Sequence, residues 1–254
     1  MQIKKETGIC KLSMIPVRNT PSNMAEMTTM LLFGETYSMI EEQGEWVYIV
    51  TDEDAYHGWI NIKLHNALHT MPAKSLVFNC FPAAMASGEQ TGDVWILPGS
   101  LLPDFTNNEF SINNERFAFP FDPSKQNTQS ASALANNFIN APYLWGGKSL
   151  FGIDCSGLTQ VVFRMMGKKL LRDAAQQATQ GETVAFRMEA RDGDLAFFDN
   201  DEGKITHVGI MVDSNRIIHA SGKVRIDQID DYGIINSQSG QYSHKLRIIK
   251  RNNS

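Results

Sequence analysis

No run of 18 or more apolar residues occurs in this 254-residue chain, so no segment reads as a membrane-spanning helix. Met1 to Leu12 carries Lys4, Lys5 and Glu6 where a secretory leader needs an apolar stretch. As written, the chain is expected in the cytoplasm; a periplasmic or secreted place is the alternative if a leader has been removed. A basic surplus is also missing. With 23 Lys and Arg against 28 Asp and Glu the net charge is −5, which argues against a nucleic-acid partner and for small molecules or peptides. Cysteine is scarce: Cys10, Cys80 and Cys155 are too few and too scattered for a disulfide framework, and no C-x-x-C pair is present to hold zinc. A reducing compartment, no metal and no cofactor are expected, with Cys10 and Cys80 as packing residues.

What is present, 42% hydrophobic and 20% charged residues over this length, suits a soluble globular protein with more than one core. Residues 1–70 read as short strands around Trp46-Val47-Tyr48-Ile49-Val50, an Asp52-Glu53-Asp54 turn and Tyr56 to Ile60, which predicts a small barrel. Residues 71–120 read as a second, less regular barrel, with a strand over Gly92 to Leu97 and a break at Pro98-Gly99. Residues 121–132 are polar, contain Pro123 and lack periodicity, as a linker does. From 133 to 254 helices come first and strands follow, the grammar of an α+β domain. The late strands are expected at Asp194 to Phe198, Ile205 to Val212, Arg216 to Ala220 and Lys245 to Ile249.

The chemistry centres on Asp154-Cys155-Ser156-Gly157-Leu158. Leu158, Val161, Val162, Met165 and Met166 follow the spacing of a helix face on a core, so Cys155 falls at a helix start. There the backbone N–H groups favour an anion, and the thiol is expected to ionise readily. A lone cysteine is most often a small apolar packing residue. Cys155 differs in its neighbours: Asp154 and Ser156 have capping potential, and Gly157 removes a side chain where a backbone or a substrate could approach.

A thiol nucleophile needs a base and an orienting partner. Alternation in Ile205 to Val212 puts His207, Gly209 and Met211 on one face, and His219 lies in the next strand. A two-residue turn at Ser214-Asn215 would pair Ile210 with His219 and send the rings to opposite faces. A three-residue connection, Asp213-Ser214-Asn215 with Asn215 left-handed, puts His219 opposite Gly209 and His207 on the diagonal; that connection is predicted. Metal binding by the pair lacks a further ligand at spacing. His65 and His69, four apart, could share a helix face but also lack a third ligand. Met24, Met27 and Met30 have helical spacing and read as gap-filling contacts.

Together, Tyr143-Leu144-Trp145-Gly146-Gly147, Asp154 to Leu158, Gly193-Asp194-Leu195, His207-Val208-Gly209-Ile210 and Ile218-His219-Ala220-Ser221 resemble the NlpC-type cysteine peptidases, papain-like enzymes acting on bacterial cell-wall peptides. Trp46 and Gly58-Trp59 resemble a bacterial SH3-like barrel. The resemblance implies an α+β papain-like (NlpC-type) catalytic domain preceded by two small all-β SH3-like barrels, the order of the γ-D-glutamyl-L-diamino acid endopeptidases. It implies Cys155 as nucleophile, His207 as base, His219 as its orienting partner, and Tyr143 with the Cys155 N–H as oxyanion donors. It further implies that Asp154, aided by the first-barrel residues Glu35 and Tyr56, pairs with an L-Ala ammonium. Ser156 would bind the D-Glu carboxylate, and Trp145 would touch the substrate. Relatives carry a serine before the paired glutamines; this chain has Arg172-Asp173-Ala174-Ala175-Gln176-Gln177 there. The implied partner is a murein-derived peptide, L-Ala-γ-D-Glu-diamino acid, met by a monomer. Two rival readings are a non-catalytic cell-wall binding module and an N-acyl amidase or acyltransferase on the same fold.

Overall fold

Tyr37, Met39, Val47, Ile49 and Ile60 alternate with more exposed neighbours, and that period of two makes half-buried strands of the segments that carry them. The computed structural model describes residues 6–71, 76–123 and 129–252. Among these, no helix is long and apolar enough to cross a membrane. The chain divides into two compact units, Met1–Asn127 and Thr128–Ser254.

In the first unit, β1 (Thr7–Ile9), β2 (Met14–Arg18), β3 (Met27–Leu32), β4 (Thr36–Gln43), β5 (Trp46–Thr51) and β6 (His57–Asn61) form one antiparallel sheet in the order β1-β4-β5-β6-β2-β3. It curls around Cys10, Ile15, Val17, Leu31, Tyr37, Val47, Ile49 and Ile60. Further along, β7 (Leu76–Phe78) pairs with β10 (Leu101–Pro103). A second sheet of β8 (Ala84–Gly88), β9 (Gly92–Ile96), β11 (Glu109–Ile112) and β12 (Glu115–Ala118) runs β11-β12-β8-β9. Its core is not drawn from residues 71–120 alone. Ile9 and Phe33 enter it beside Phe110, Phe117 and Phe119, with Phe110 and Phe117 stacked at 5.0 Å.

Met27 and Met30 lie on β3, as the strand reading of this region expects, and Met30 is buried as a packing contact; Met24, in the preceding turn, is exposed, against its reading as a gap-filling contact. His65 and His69 share no helix face. His65 closes a three-residue 3-10 turn and contacts the Tyr37 hydroxyl at 3.0 Å and Glu6 at 3.5 Å, while His69 lies in the irregular stretch that follows.

The second unit opens with α1 (Ala131–Ala135), capped by the Ser130 side chain, so a helix begins inside the stretch read as linker; residues 124–128 of that stretch lie outside the described residues. A short hairpin of β13 (Lys148–Ser149) and β14 (Gly152–Ile153) leads into α2 (Cys155–Met165), whose residues are all buried. After α3 (Ala174–Gln177) come β15 (Glu182–Thr183), β16 (Leu195–Asp199), β17 (Ile205–Asp213), β18 (Arg216–Ser221), β19 (Lys223–Ile229), β20 (Gly233–Ile235) and β21 (Tyr242–Arg251). Their order is β15-β21-β16-β17-β18-β19-β20, and β20 pairs back with β21, closing six strands around Ala196, Phe198, Met211, Ile217, Ile229 and Ile234.

The β17–β18 connection combines the two alternatives. Ser214 and Asn215 make a two-residue turn between paired Asp213 and Arg216, and Asn215 keeps a negative φ, against the expected left-handed turn. A bulge between Met211 and Asp213 then shifts the ladder by one residue, so His219 faces Gly209 after all. A Cβ at Gly209 would lie 2.9 Å from that of His219, so glycine makes the space between the rings.

Candidate active site

Cys155 opens α2 because Asp154 caps it. Asp154 Oδ1 accepts from the Gly157 N–H at 2.6 Å and Oδ2 from the Gly146 N–H at 2.8 Å. Gly146 holds φ +76°, and a Cβ on Gly157 would collide with the Gly147 carbonyl, so both glycines belong to this close approach of loop and helix.

The thiol does not match the expectation of ready ionisation. Burial, reinforced by the negative charge of Asp154, pushes it up to about 11. Backbone hydrogen bonds from Val208 and Ser156 work in the opposite direction and are outweighed. Desolvating a thiolate on a residue only 6% exposed costs more than the helix start returns. The bond to Val208, the residue after His207, also brings the thiol to the start of β17.

His207 and His219 meet as the register requires, Nε2 of one 2.9 Å from Nδ1 of the other. His219 Nε2 in turn lies 3.1 Å from Asp227 Oδ2. Burial pushes Asp227 up, but bonds from His219, the Ser237 N–H and Arg225 outweigh it and hold the carboxyl well below the usual carboxylate range. A carboxylate only accepts, so the proton on His219 sits on Nε2; its Nδ1 then accepts from His207 Nε2–H, and His207 Nδ1 keeps its lone pair. Burial first, and then the neighbouring imidazoles, hold His207 well below 6.5, so the ring is neutral at neutral pH. The free site therefore holds a thiol and a neutral imidazole poised as a base.

Sequence reasoning missed three participants. Asp227 sits on β19, a strand not foreseen, although Val224 to Ile229 alternates. His244 fell one residue short of the expected start of the last strand; its ring stacks on His207 with centroids 4.0 Å apart. Burial lowers its own pKa to about 4. It also corrects the metal argument, since the donor atoms of His207, His219 and His244 come within 4.8 Å of one another and the missing third ligand exists. The 2.9 Å contact between two of those nitrogens is a shared-proton distance, shorter than two imidazoles bound to one zinc would allow, so the cluster is arranged as a relay.

The third is Arg172, which opens the stretch that lacks the family's serine and to which the sequence assigns no role. Its guanidinium is buried and grips both oxygens of Asp154, at 3.1 Å and 2.6 Å, and donates to Ser156 Oγ at 2.9 Å. Asp154 and Ser156 thus enter the site already tied together, with the Ser156 hydroxyl directed at Asp154 at 3.3 Å. Gln177 braces them, donating to the Ser156 carbonyl at 3.0 Å and accepting from Thr159 at 2.7 Å.

Tyr143 is held by its own N–H to the Gly222 carbonyl at 3.0 Å and is about one-third exposed. Burial, with the charges of Cys155 and Asp154 next to it, pushes the phenol up to about 12, so it remains an O–H donor beside the thiol. Trp145, in the same loop, is exposed. Glu35 and Tyr56 belong to the first unit: Glu35 is buried after the β3–β4 turn, and the Tyr56 N–H bonds Thr51 Oγ1 at 2.8 Å.

Residues 140–246 match the model of the NlpC/P60 family, and residues 17–63 that of the bacterial dipeptidyl-peptidase Sh3 domain. The chain is 33% identical over 214 residues to the γ-D-glutamyl-L-lysine dipeptidyl-peptidase of Bacillus subtilis, covering 76% of this chain and 71% of that protein. It is 25% identical to a Bacillus cereus protein of the same name, covering 86% and 75%. The fold matches that of an NlpC/P60 family protein from Bacillus cereus with a TM-score of 0.78 at 18% identity, over 96% of this chain and 99% of the other.

Proposed function

Because this chain belongs to the NlpC/P60 family of cysteine peptidases, we propose that it hydrolyses the γ-D-glutamyl–L-diamino acid bond of murein-derived peptides with a free N-terminal L-Ala. Cys155 is the nucleophile. The observation that carries this reading is the relay Asp227–His219–His207, which ends on an imidazole lone pair at the strand whose Val208 N–H bonds the thiol.

The sulfur attacks the γ-carbonyl carbon as its proton passes to His207. The resulting oxyanion takes hydrogen bonds from the Tyr143 hydroxyl and the Cys155 N–H, donors worth about 3–4 kcal/mol in a transition state. The C–N bond then breaks, and His207 returns the proton to the departing α-amine of the diamino acid. Water, deprotonated by the same imidazole, attacks the thioester, and L-Ala-γ-D-Glu leaves with the thiol restored. The pairing of His219 with Asp227 stabilises the imidazolium between these steps.

Asp154 is assigned to the L-Ala ammonium, Ser156 to the free α-carboxylate of D-Glu, and Trp145 to the wall of the site. Arg172 supports the carboxylate assignment, since its guanidinium donates to Ser156 Oγ and sets a positive charge beside that hydroxyl. The names of the Bacillus relatives support the choice of bond.

Incubation of L-Ala-γ-D-Glu-L-Lys with the protein and with Cys155→Ala, followed by mass analysis, tests the assignment. Release of L-Ala-γ-D-Glu and lysine by the intact protein alone is expected. Equal turnover by both, or by neither, overturns it.

A further inference from the structure

Beside the relay lies an open cavity of about 630 Å³, bordered by Asp199, Asp201, Asp231, Tyr242, His244 and Lys245 among others. It adjoins the relay through His244, whose ring on the cavity wall is stacked on His207 at 4.0 Å. Phe198, the residue before Asp199, bridges the same two rings, 5.7 Å from His207 and 5.9 Å from His244.

Asp199 is the unusual member. Its side chain is only 4% exposed, its Oδ2 has a distant partner in Arg247 Nε at 3.7 Å, and its buried Oδ1 has no hydrogen-bond partner among the described residues. A buried carboxylate oxygen left without a donor is costly, so one that persists calls for a specific reason, a bound ion or a functional role among them. On the cavity border the carboxylates of Asp199, Asp201 and Asp231 outnumber its one lysine, Lys245. Asp231 is paired with Arg187 at 3.0 Å, and Asp201 adds negative charge on the turn after β16. The cavity wants a compact cation.

We propose that this cavity is the leaving-group subsite, and that Asp199 receives the side-chain ammonium of the diamino acid released by cleavage. The inference rests on the peptidase reading above and adds a specificity determinant to it. The departing α-amine takes its proton from His207, so the residue carrying it lies against the His207–His244 stack, and a four-carbon arm leads its ammonium from there into the cavity. Asp201 adds to the field, and His244 forms the wall between scissile bond and cavity.

Paired substrates test this: L-Ala-γ-D-Glu-L-Lys and L-Ala-γ-D-Glu-L-norleucine, whose side chain has the same carbons and no ammonium. The ratio of kcat/KM, lysine over norleucine, is expected to be about ten or more in the intact protein, as for a charged hydrogen bond. In Asp199→Asn the ratio should fall toward one. Asp201→Asn, on the exposed turn and so harmless to folding, should lower it in the same direction by a smaller factor. Cleavage of both peptides with a ratio near one overturns the subsite and leaves the peptidase reading intact. A ratio unchanged in both variants overturns the assignment to Asp199. Cleavage of neither peptide overturns the peptidase reading itself.

Discussion

The imidazole of His244 lies against that of His207, ring centroids 4.0 Å apart and planes 21° from parallel. The base is therefore gripped on its face by β21 while its edge is held by His219 on β18.

Removing the stack should loosen the base and hydrate it. For His244→Ala, kcat is expected to fall by about ten-fold, the effect of a base free to leave its attack geometry. Water reaching His207 favours its charged form, so the acid limb of kcat/KM should move up toward pH 6.5. His244→Phe keeps a flat ring on the face and should shift both quantities less. Identical pH profiles for the alanine and phenylalanine variants would exclude the stacking argument.

The pH profile of the intact protein follows from two opposite shifts. His207 must be neutral to accept a proton, and its pKa lies well below 6.5, so activity should persist into mildly acid solution and be lost only on further acidification. The Cys155 thiol, pushed up to about 11, should make alkylation of the free protein by iodoacetamide climb steadily with pH toward that value. A plateau of alkylation already reached at neutral pH would mean a thiolate at rest.

Asp227→Asn tests the relay two strands from the base. An amide NH2 facing His219 would donate where the carboxylate accepted, turning the His219 proton toward His207 and setting two donors against each other. A loss in kcat of about 10²-fold is expected, the lower end of what a positioned base contributes, with little change in KM. The expected signature is recovery of part of that loss in Asp227→Glu.

Arg172→Ala should act on stability before chemistry. It takes the ion-pair partner from Asp154, 5% exposed, and leaves only backbone N–H groups and the Ser156 hydroxyl to hold a buried charge, a change that costs about 3–5 kcal/mol. Denaturant unfolding should show that loss. Cys155→Ala, which removes no charge or hydrogen-bonded cap, should stay close to the parent.

Much of the site was legible in the chain because its parts are local. Asp154 before an apolar 3.6-residue period predicts the capped helix, and alternation along Ile205 to Val212 predicts which face His207 takes. The turn is only partly legible: a bulge at Val212, which no residue type announces, restores the register that a two-residue turn breaks. Asp227 and His244 escaped notice because each acts across strand pairs, and the sequence distance of His244 from His207 carries no trace of their contact.

Residue order alone decides where a helix starts, which faces of the strands turn inward and which side chains carry reactive groups, since these follow from neighbours within a few positions. Proton positions and charge states belong to the assembled barrel. Closure of β20 onto β21 brings His244 to the base, burial by surrounding strands raises the thiol and lowers the imidazole, and β18 against β19 gives His219 its carboxylate. Desolvation and hydrogen bonding are sums over everything nearby in space, and a local pattern holds no information about that sum.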